Sequence, residues 1–170
     1  IDRAQHCPAR DPVDCAEDIG GIYPFRRAGS TVGNDDGYTD ARCVVGGGVM
    51  IEDAAFRWTA PWDGLFRFTT EGSSIDTIIS LRQGSCAGRE LACNDDLDDD
   101  VRHSEIIAHF AECQTITVVI DGATVDDVGD YVLSIGGFET ECENGLDDDE
   151  DGDDDCDDDD CFTALCADPN

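Results

Sequence analysis

The sequence contains no lysine; all ten basic residues are arginines, and none lies beyond Arg102. Against them stand 41 acidic residues, for a formal net charge of −31. A nucleic acid or an anionic membrane surface would have to bind against that field, so neither is an expected partner, and cations are. No apolar run approaches the roughly 20 residues of a membrane helix, so no membrane insertion is expected. The signatures of hydrolytic catalysis are missing as well. His6, His103 and His109 lack HExxH spacing, no GxSxG elbow occurs, and the contiguous His103-Ser104-Glu105 cannot converge as a triad in an extended strand. Carboxylates are so abundant that their pairing says nothing about acid–base catalysis. The reading is therefore not an enzyme.

What the chain does have is ten cysteines, an even count that permits five bridges. No CxxC pair suggests zinc or a thioredoxin-like site, so the cysteines read as a disulfide framework made in an oxidising compartment. A chain that begins at Ile1 fits a signal peptide already removed. Secreted, extracellular or cell-surface placement is the expectation. At 170 residues the chain can hold one ordinary core and a small appendage.

Hydrophobic period two runs through the middle of the chain, and no segment shows helical periodicity. Phe56 and Trp58 alternate with Arg57 and Thr59; Phe66 and Phe68 alternate with Arg67 and Thr69. The turn Pro61-Trp62-Asp63-Gly64 between them predicts a hairpin, with Trp58 opposite Phe66 and Arg57 opposite Arg67. A second hairpin is predicted where Ser80 and Arg82 alternate with Ile79 and Leu81, with Gly84 and Gly88 in the turn. Cys86 and Cys93 are close enough in sequence to clamp its mouth by a disulfide. Further runs follow at Ile106 to Phe110, at Ile116, Val118 and Ile120, and at Tyr131, Leu133 and Ile135. The expected fold is all-β: an antiparallel β-sandwich or jelly roll with an irregular, disulfide- and calcium-stabilised C-terminal tail. Residues 1–30 read as an irregular arm or docking strand, 31–138 as the sandwich, and 139–170 as the tail.

The run Asp76-Thr77, Leu81-Arg82, Cys86 and Glu90-Leu91-Ala92-Cys93-Asn94-Asp95-Asp96 resembles the bacterial pre-peptidase C-terminal (PPC-type) domain. Thr59-Ala60-Pro61 with Asp63-Gly64, Val118-Val119-Ile120-Asp121-Gly122 and Gly129-Asp130-Tyr131 fit the same pattern, so the resemblance covers roughly residues 30–138. It implies a small secreted β-sandwich, often calcium-bound, without catalytic residues of its own.

Two stretches have the chemistry of a calcium site. Asp147-x-Asp149-x-Asp151-Gly152-x-x-Asp155 reproduces the first nine positions of a calcium loop, in which alternate carboxylates converge on one ion and a glycine permits the sharp turn. Asp153 would offer its backbone carbonyl, with Asp158 at position twelve where an EF-hand has glutamate. With Cys142, Cys156 and Cys161 alongside, the string is similar to the Asp-rich, cysteine-paired calcium repeats of thrombospondin type 3, a resemblance in which Asp155, Asp158 and Asp160 complete the coordination. The second stretch is Asn94, Asp95 and Asp96, with Asp98 or Asp100 and a partner from Asn34, Asp35, Asp36 or Asp40 as candidates; an ordinary polar loop is the competing reading. The cofactor expected is Ca2+. The function expected is a structural or adhesive protein of the cell surface or extracellular matrix, with other copies of itself or an extracellular polymer or protein as partner. The alternative is an accessory substrate-binding or secretion module cut from a protease or other hydrolase.

Overall fold

In the computed structural model, described here for residues 1–9, 15–34, 43, 52–96 and 102–137, nine strands make two facing sheets. They are β1 (Glu17–Gly20), β2 (Phe25–Ser30), β3 (Ala54–Thr59), β4 (Gly64–Thr69), β5 (Thr77–Gln83), β6 (Glu90–Asn94), β7 (Glu105–Phe110), β8 (Thr115–Gly122) and β9 (Asp130–Gly136). One sheet has the order β1-β3-β8-β5-β6 and the other β2-β9-β4-β7. All pairings are antiparallel except β1 with β3, which run parallel. The fold is the expected all-β sandwich, with one parallel strand at its edge.

The period-two pattern explains the core. Phe56 and Trp58 of β3, Ile79 and Leu81 of β5, and Ile116, Val118 and Ile120 of β8 point inward from the first sheet. Phe66 and Phe68 of β4, Ile106 and Phe110 of β7, and Tyr131, Leu133 and Ile135 of β9 meet them from the second. Trp58 is completely buried and lies edge-on to Phe66 and Phe68, with ring centroids 4.8 and 5.5 Å away. Its indole N–H donates to the Ile22 carbonyl at 3.2 Å, so the large ring is buried without an orphaned donor.

Among the described strands only β5 and β6 are neighbours both in sequence and in a sheet; every other connection passes from one sheet to the other. The expected β3–β4 hairpin is therefore corrected. β3 pairs with β1 and β8, β4 with β7 and β9, and the Ala60–Asp63 turn arches between the sheets. Alternation alone cannot separate the two cases, because both demand that Phe56, Trp58, Phe66 and Phe68 face the core. Trp58 does meet Phe66, but across the interior. Arg57 and Arg67 consequently point away from each other on opposite faces, and Arg67 binds Glu105 at 2.7 Å.

Residues 1–4 dock beside the first sheet. Asp2 bridges to Ile22, and its Oδ1 accepts from the backbone N–H groups of Ala4 and Gly21 at 3.0 and 2.9 Å. Among the described residues three disulfides fasten outlying chain to the sandwich: Cys7–Cys113, Cys15–Cys86 and Cys43–Cys93. The expected Cys86–Cys93 bridge is thus a second correction, and the ladder shows why. Cys93 lies opposite Ser80 on β6, while Cys86 sits in the turn beyond Gln83. Three residues of strand separate Ser80 from Gln83, about 10 Å at roughly 3.3 Å each, before the turn that holds Cys86 begins, which already exceeds the ~7 Å a disulfide spans. The turn itself is as read. Gly84 has φ +71°, and a Cβ at Gly88 would lie 1.9 Å from the Gln83 carbonyl oxygen.

Candidate metal centre

The antiparallel pairing of β5 and β6 places the start of one beside the end of the other. Ile79 faces Asn94, so Asp76, just before β5, reaches the same end of the sandwich as Asp95 and Asp96, just after β6. One carboxylate oxygen from each of Asp76, Asp95 and Asp96 comes within 4.8 Å of the others.

A hydrogen-bonded polar knot holds this end in place. The Ser104 hydroxyl lies between the carbonyl oxygens of Thr77 and Asp95, and so ties β5 to the turn after β6. Ser104 N–H donates to the Thr70 hydroxyl at 2.8 Å, and that hydroxyl lies 2.6 Å from the hydroxyl of Thr77. Asn94 shapes the turn itself: its Oδ1 accepts from Glu105 N–H at 2.9 Å, and its Nδ2 donates to the Asp96 carbonyl at 3.1 Å. Its side-chain oxygen is thereby engaged with β7, which makes Asn94 the residue that orients Asp95 and Asp96.

The electrostatics of the cluster are unfavourable as it stands. Burial, then the charges of Asp96 and Asp127, push the Asp76 carboxyl above the usual carboxylate range, with Arg102 pulling the other way. Burial, followed by Asp96, Asp76 and Asp127, raises Asp95. Arg102 Nη1 donates to Asp76 Oδ2 at 3.1 Å. The other oxygen, Asp76 Oδ1, and Asp95 Oδ1 are both buried with no hydrogen-bond partner. A buried carboxylate oxygen with no donor to bind, close to other carboxylates, is costly, and a divalent ion would turn that repulsion into attraction. The dimensions fit: calcium binds oxygens at 2.3–2.6 Å, so ligands on opposite sides lie up to about 5 Å apart. An all-oxygen donor set of carboxylates suits calcium and not zinc.

Of the residues anticipated from the sequence, Asp95 and Asp96 join this cluster. Asn34 does not; its Nδ2 donates to the Asp53 carbonyl at 2.9 Å. Asp35, Asp36, Asp40, Asp98 and Asp100 lie outside the described residues, as do Asp147, Asp149, Asp151, Asp153, Asp155, Asp158 and Asp160. Asp76 was missed as a ligand, although the β5–β6 hairpin already implied that residues flanking its open end converge. A second grouping, His6 with Cys7 and Cys113, is no thiolate site, because both sulfurs are in the disulfide and His6 Nε2 pairs with Glu112 at 2.8 Å. His109 pairs with Asp63 at 3.3 Å, both exposed.

The strands thus define a disulfide-tied β-sandwich with an acidic cluster at one end. No protein-family model matches the chain, and a search of curated proteins finds no match. Among solved structures, the pre-peptidase C-terminal domain of a collagenase from Bacillus anthracis is similar over 74% of this chain and 99% of that one, at 15% identity and a TM-score of 0.47. The assignment of the fold rests on the strand pairing above and not on this likeness.

Proposed function

We propose that the chain is a non-enzymatic, secreted calcium-binding protein with a structural or adhesive role at the cell surface or in the extracellular matrix. The observation that carries the calcium reading is the meeting of Asp76, Asp95 and Asp96 with two buried, unpartnered carboxylate oxygens. The Asp147–Asp160 stretch supplies a second calcium-binding element by its DxDxDG spacing. Three disulfides tie the described residues together, which suits an oxidising, extracytoplasmic setting. In this reading calcium is a structural ion: it neutralises crowded carboxylates and fixes the sandwich end that carries them.

Calorimetric titration of the full chain with calcium tests it. Saturable binding is expected, with one class lost in Asp76→Asn and Asp95→Asn; absence of binding, or binding unaltered in both variants, refutes the sandwich site. The role is tested separately. Calcium-dependent multimers or fibres support the structural reading, whereas a monomer that binds collagen-like or chitin-like polymers is an accessory module.

A further inference from the structure

The outer strands of the sandwich differ in how they treat their open edges. A bare strand edge invites pairing with another chain, and folds ordinarily blunt it with charge, a bulge, proline or brevity. Strand β1 is four residues long, and its register with β3 shifts between Asp18 and Gly20. Strand β6 shifts against β5 between Leu81 and Arg82, and β2 carries the exposed neighbours Arg26 and Arg27. Strand β7 has no proline and pairs with β4 one for one along its six residues. At its middle the outward Ile107 is 42% exposed, and no other large apolar side chain on a described strand is exposed. The Ser104 carbonyl accepts from Thr70 N–H just beyond β4. By alternation Ile106, Ala108 and Phe110 turn their peptide groups to β4, while Glu105, Ile107 and His109 turn theirs to the open edge. Glu105 N–H accordingly leaves the sheet for Asn94 Oδ1 at 2.9 Å. Among the described residues no strand pairs with that edge.

We propose that β7 is the edge through which two copies of this chain pair antiparallel about a two-fold axis at Ile107, joining their four-stranded sheets into one. The strand's own sequence selects a second copy as the occupant. In a two-fold pair centred on Ile107, that residue meets its counterpart, and Glu105 of each copy lies opposite the partner's His109. All three side chains stand on the outward face, so an apolar contact at the axis is flanked on either side by a carboxylate and an imidazole, arrangements that favour cross-strand pairing. A slip of two residues either way sets Ile107 against Glu105 or His109 and loses the match. The contacts already made by these side chains permit it. Arg67 binds Glu105 through Oε2, and His109 meets Asp63 through Nε2 with both side chains exposed, so Oε1 and Nδ1 are the atoms offered across the axis. Ile107 N–H donates to the partner's Ile107 carbonyl and His109 N–H to the partner's Glu105 carbonyl, each bond made twice by symmetry. The acidic segment 139–170 is a poorer occupant, because aspartates are disfavoured in strands and would lie opposite Glu105. A net charge of −31 on each copy opposes association at long range, so the dimer belongs to conditions in which salt or calcium screens that field.

Sedimentation of the full chain in about 0.5 M salt, where the Debye length is roughly 4 Å, reads the assembly, and a dimer is expected. Ile107→Glu places its side chain on the surface opposite Arg67 of its own copy, which suits the folded monomer, but sets two carboxylates against each other at the axis. It should weaken the dimer about tenfold or more. A chain that stays monomeric up to its solubility limit, or association that Ile107→Glu does not weaken, overturns the proposal. The register is read separately, and the absence of lysine makes that direct. His109→Lys introduces the chain's one side-chain amine, which a water-soluble carbodiimide joins as an amide to a carboxylate in contact with it. In a mixture of isotopically light and heavy copies, mass spectrometry should find residue 109 of one copy joined to Glu105 of the other. Within one copy these positions are four strand residues apart, roughly 13 Å, too far for a link without a spacer. Residue 109 joined only to Asp63 of its own copy, to the segment 139–170, or between copies at any other position overturns the pairing. The proposal supplies the contact surface of the structural reading and rests on it; multimers that survive Ile107→Glu keep that reading and remove this surface, and calcium binding at Asp76, Asp95 and Asp96 is judged by its own titration.

Discussion

Asp95→Asn tests the metal centre through a reversal of sign. The substitution keeps side-chain size and leaves the Asp95 carbonyl against Ser104. It removes one of three charges whose oxygens lie within 4.8 Å. Two unit charges at that distance repel by about 1 kcal/mol at the dielectric of water and ~3.5 kcal/mol at an effective value of 20. Asp95 is part-buried, so a relief of about 1–2 kcal/mol is expected once solvent screening is allowed for. Without calcium, then, the variant should be more stable than the parent. With calcium at about 100 times its dissociation constant, the parent gains roughly 2.7 kcal/mol and the variant loses most of that gain. The order of stabilities should therefore invert between chelator and calcium. Urea unfolding followed by tryptophan fluorescence reports it, since Trp58 lies in the core. Calcium bound by the Asp147–Asp160 stretch adds equally to both proteins and cancels in the difference. A variant destabilised in chelator, or stabilised by calcium as much as the parent, refutes the reasoning.

Acidity should act on the same cluster. Because Asp76 and Asp95 titrate above the usual carboxylate range when calcium is absent, the folded chain holds protons that the unfolded chain has released, so their contribution to stability falls as pH rises through that window; chelated protein should gain stability there on mild acidification, as chemical unfolding at several pH values checks. Peptide mapping without reduction should find Cys86 joined to Cys15 and not to Cys93. Replacing Cys15 and Cys86 together by alanine should cost about 4 kcal/mol, the chain-entropy value for a closed loop of 71 residues, measured by urea unfolding. Chelation should open residues 142–161 to proteolysis before the sandwich, and Asp151→Ala should do so without chelator, because too few apolar residues exist there to offset the crowded charge.

The strands were legible because their inward residues are large and their alternation strict. Phe56 to Trp58, Phe66 to Phe68, and Ile116 to Ile120 each announce a strand with one face in the core. Topology was not legible from the same signal. A two-residue period fixes which side chains point inward but not whether the next strand lies beside its predecessor or across from it. The Trp58–Phe66 contact arises either way. Only the outward residues differ, and there Arg67 is satisfied by Glu105, a residue 38 positions away that no local pattern could name. The cysteines obey the same limit. Proximity in sequence suggested Cys86 with Cys93, but a strand is stiff and carries near neighbours apart, so each bonds to chain brought in from outside the hairpin.

The metal centre was half legible for a related reason. Asp95 and Asp96 stand out as acids at a strand end. Asp76 is a lone aspartate before β5, indistinguishable by composition from the many others in so acidic a chain. What distinguishes it is pairing: the register that sets Ile79 against Asn94 brings the residue before one strand to the residues after the other. Ser104 and Thr70 then fix that end through hydroxyl groups whose roles depend on contacts from four separate segments. In a chain with 41 acidic residues, the informative carboxylates are those held close together against solvation. Abundance lowers the worth of any single aspartate as a signal, while the buried, unpartnered oxygens of Asp76 and Asp95 restore it.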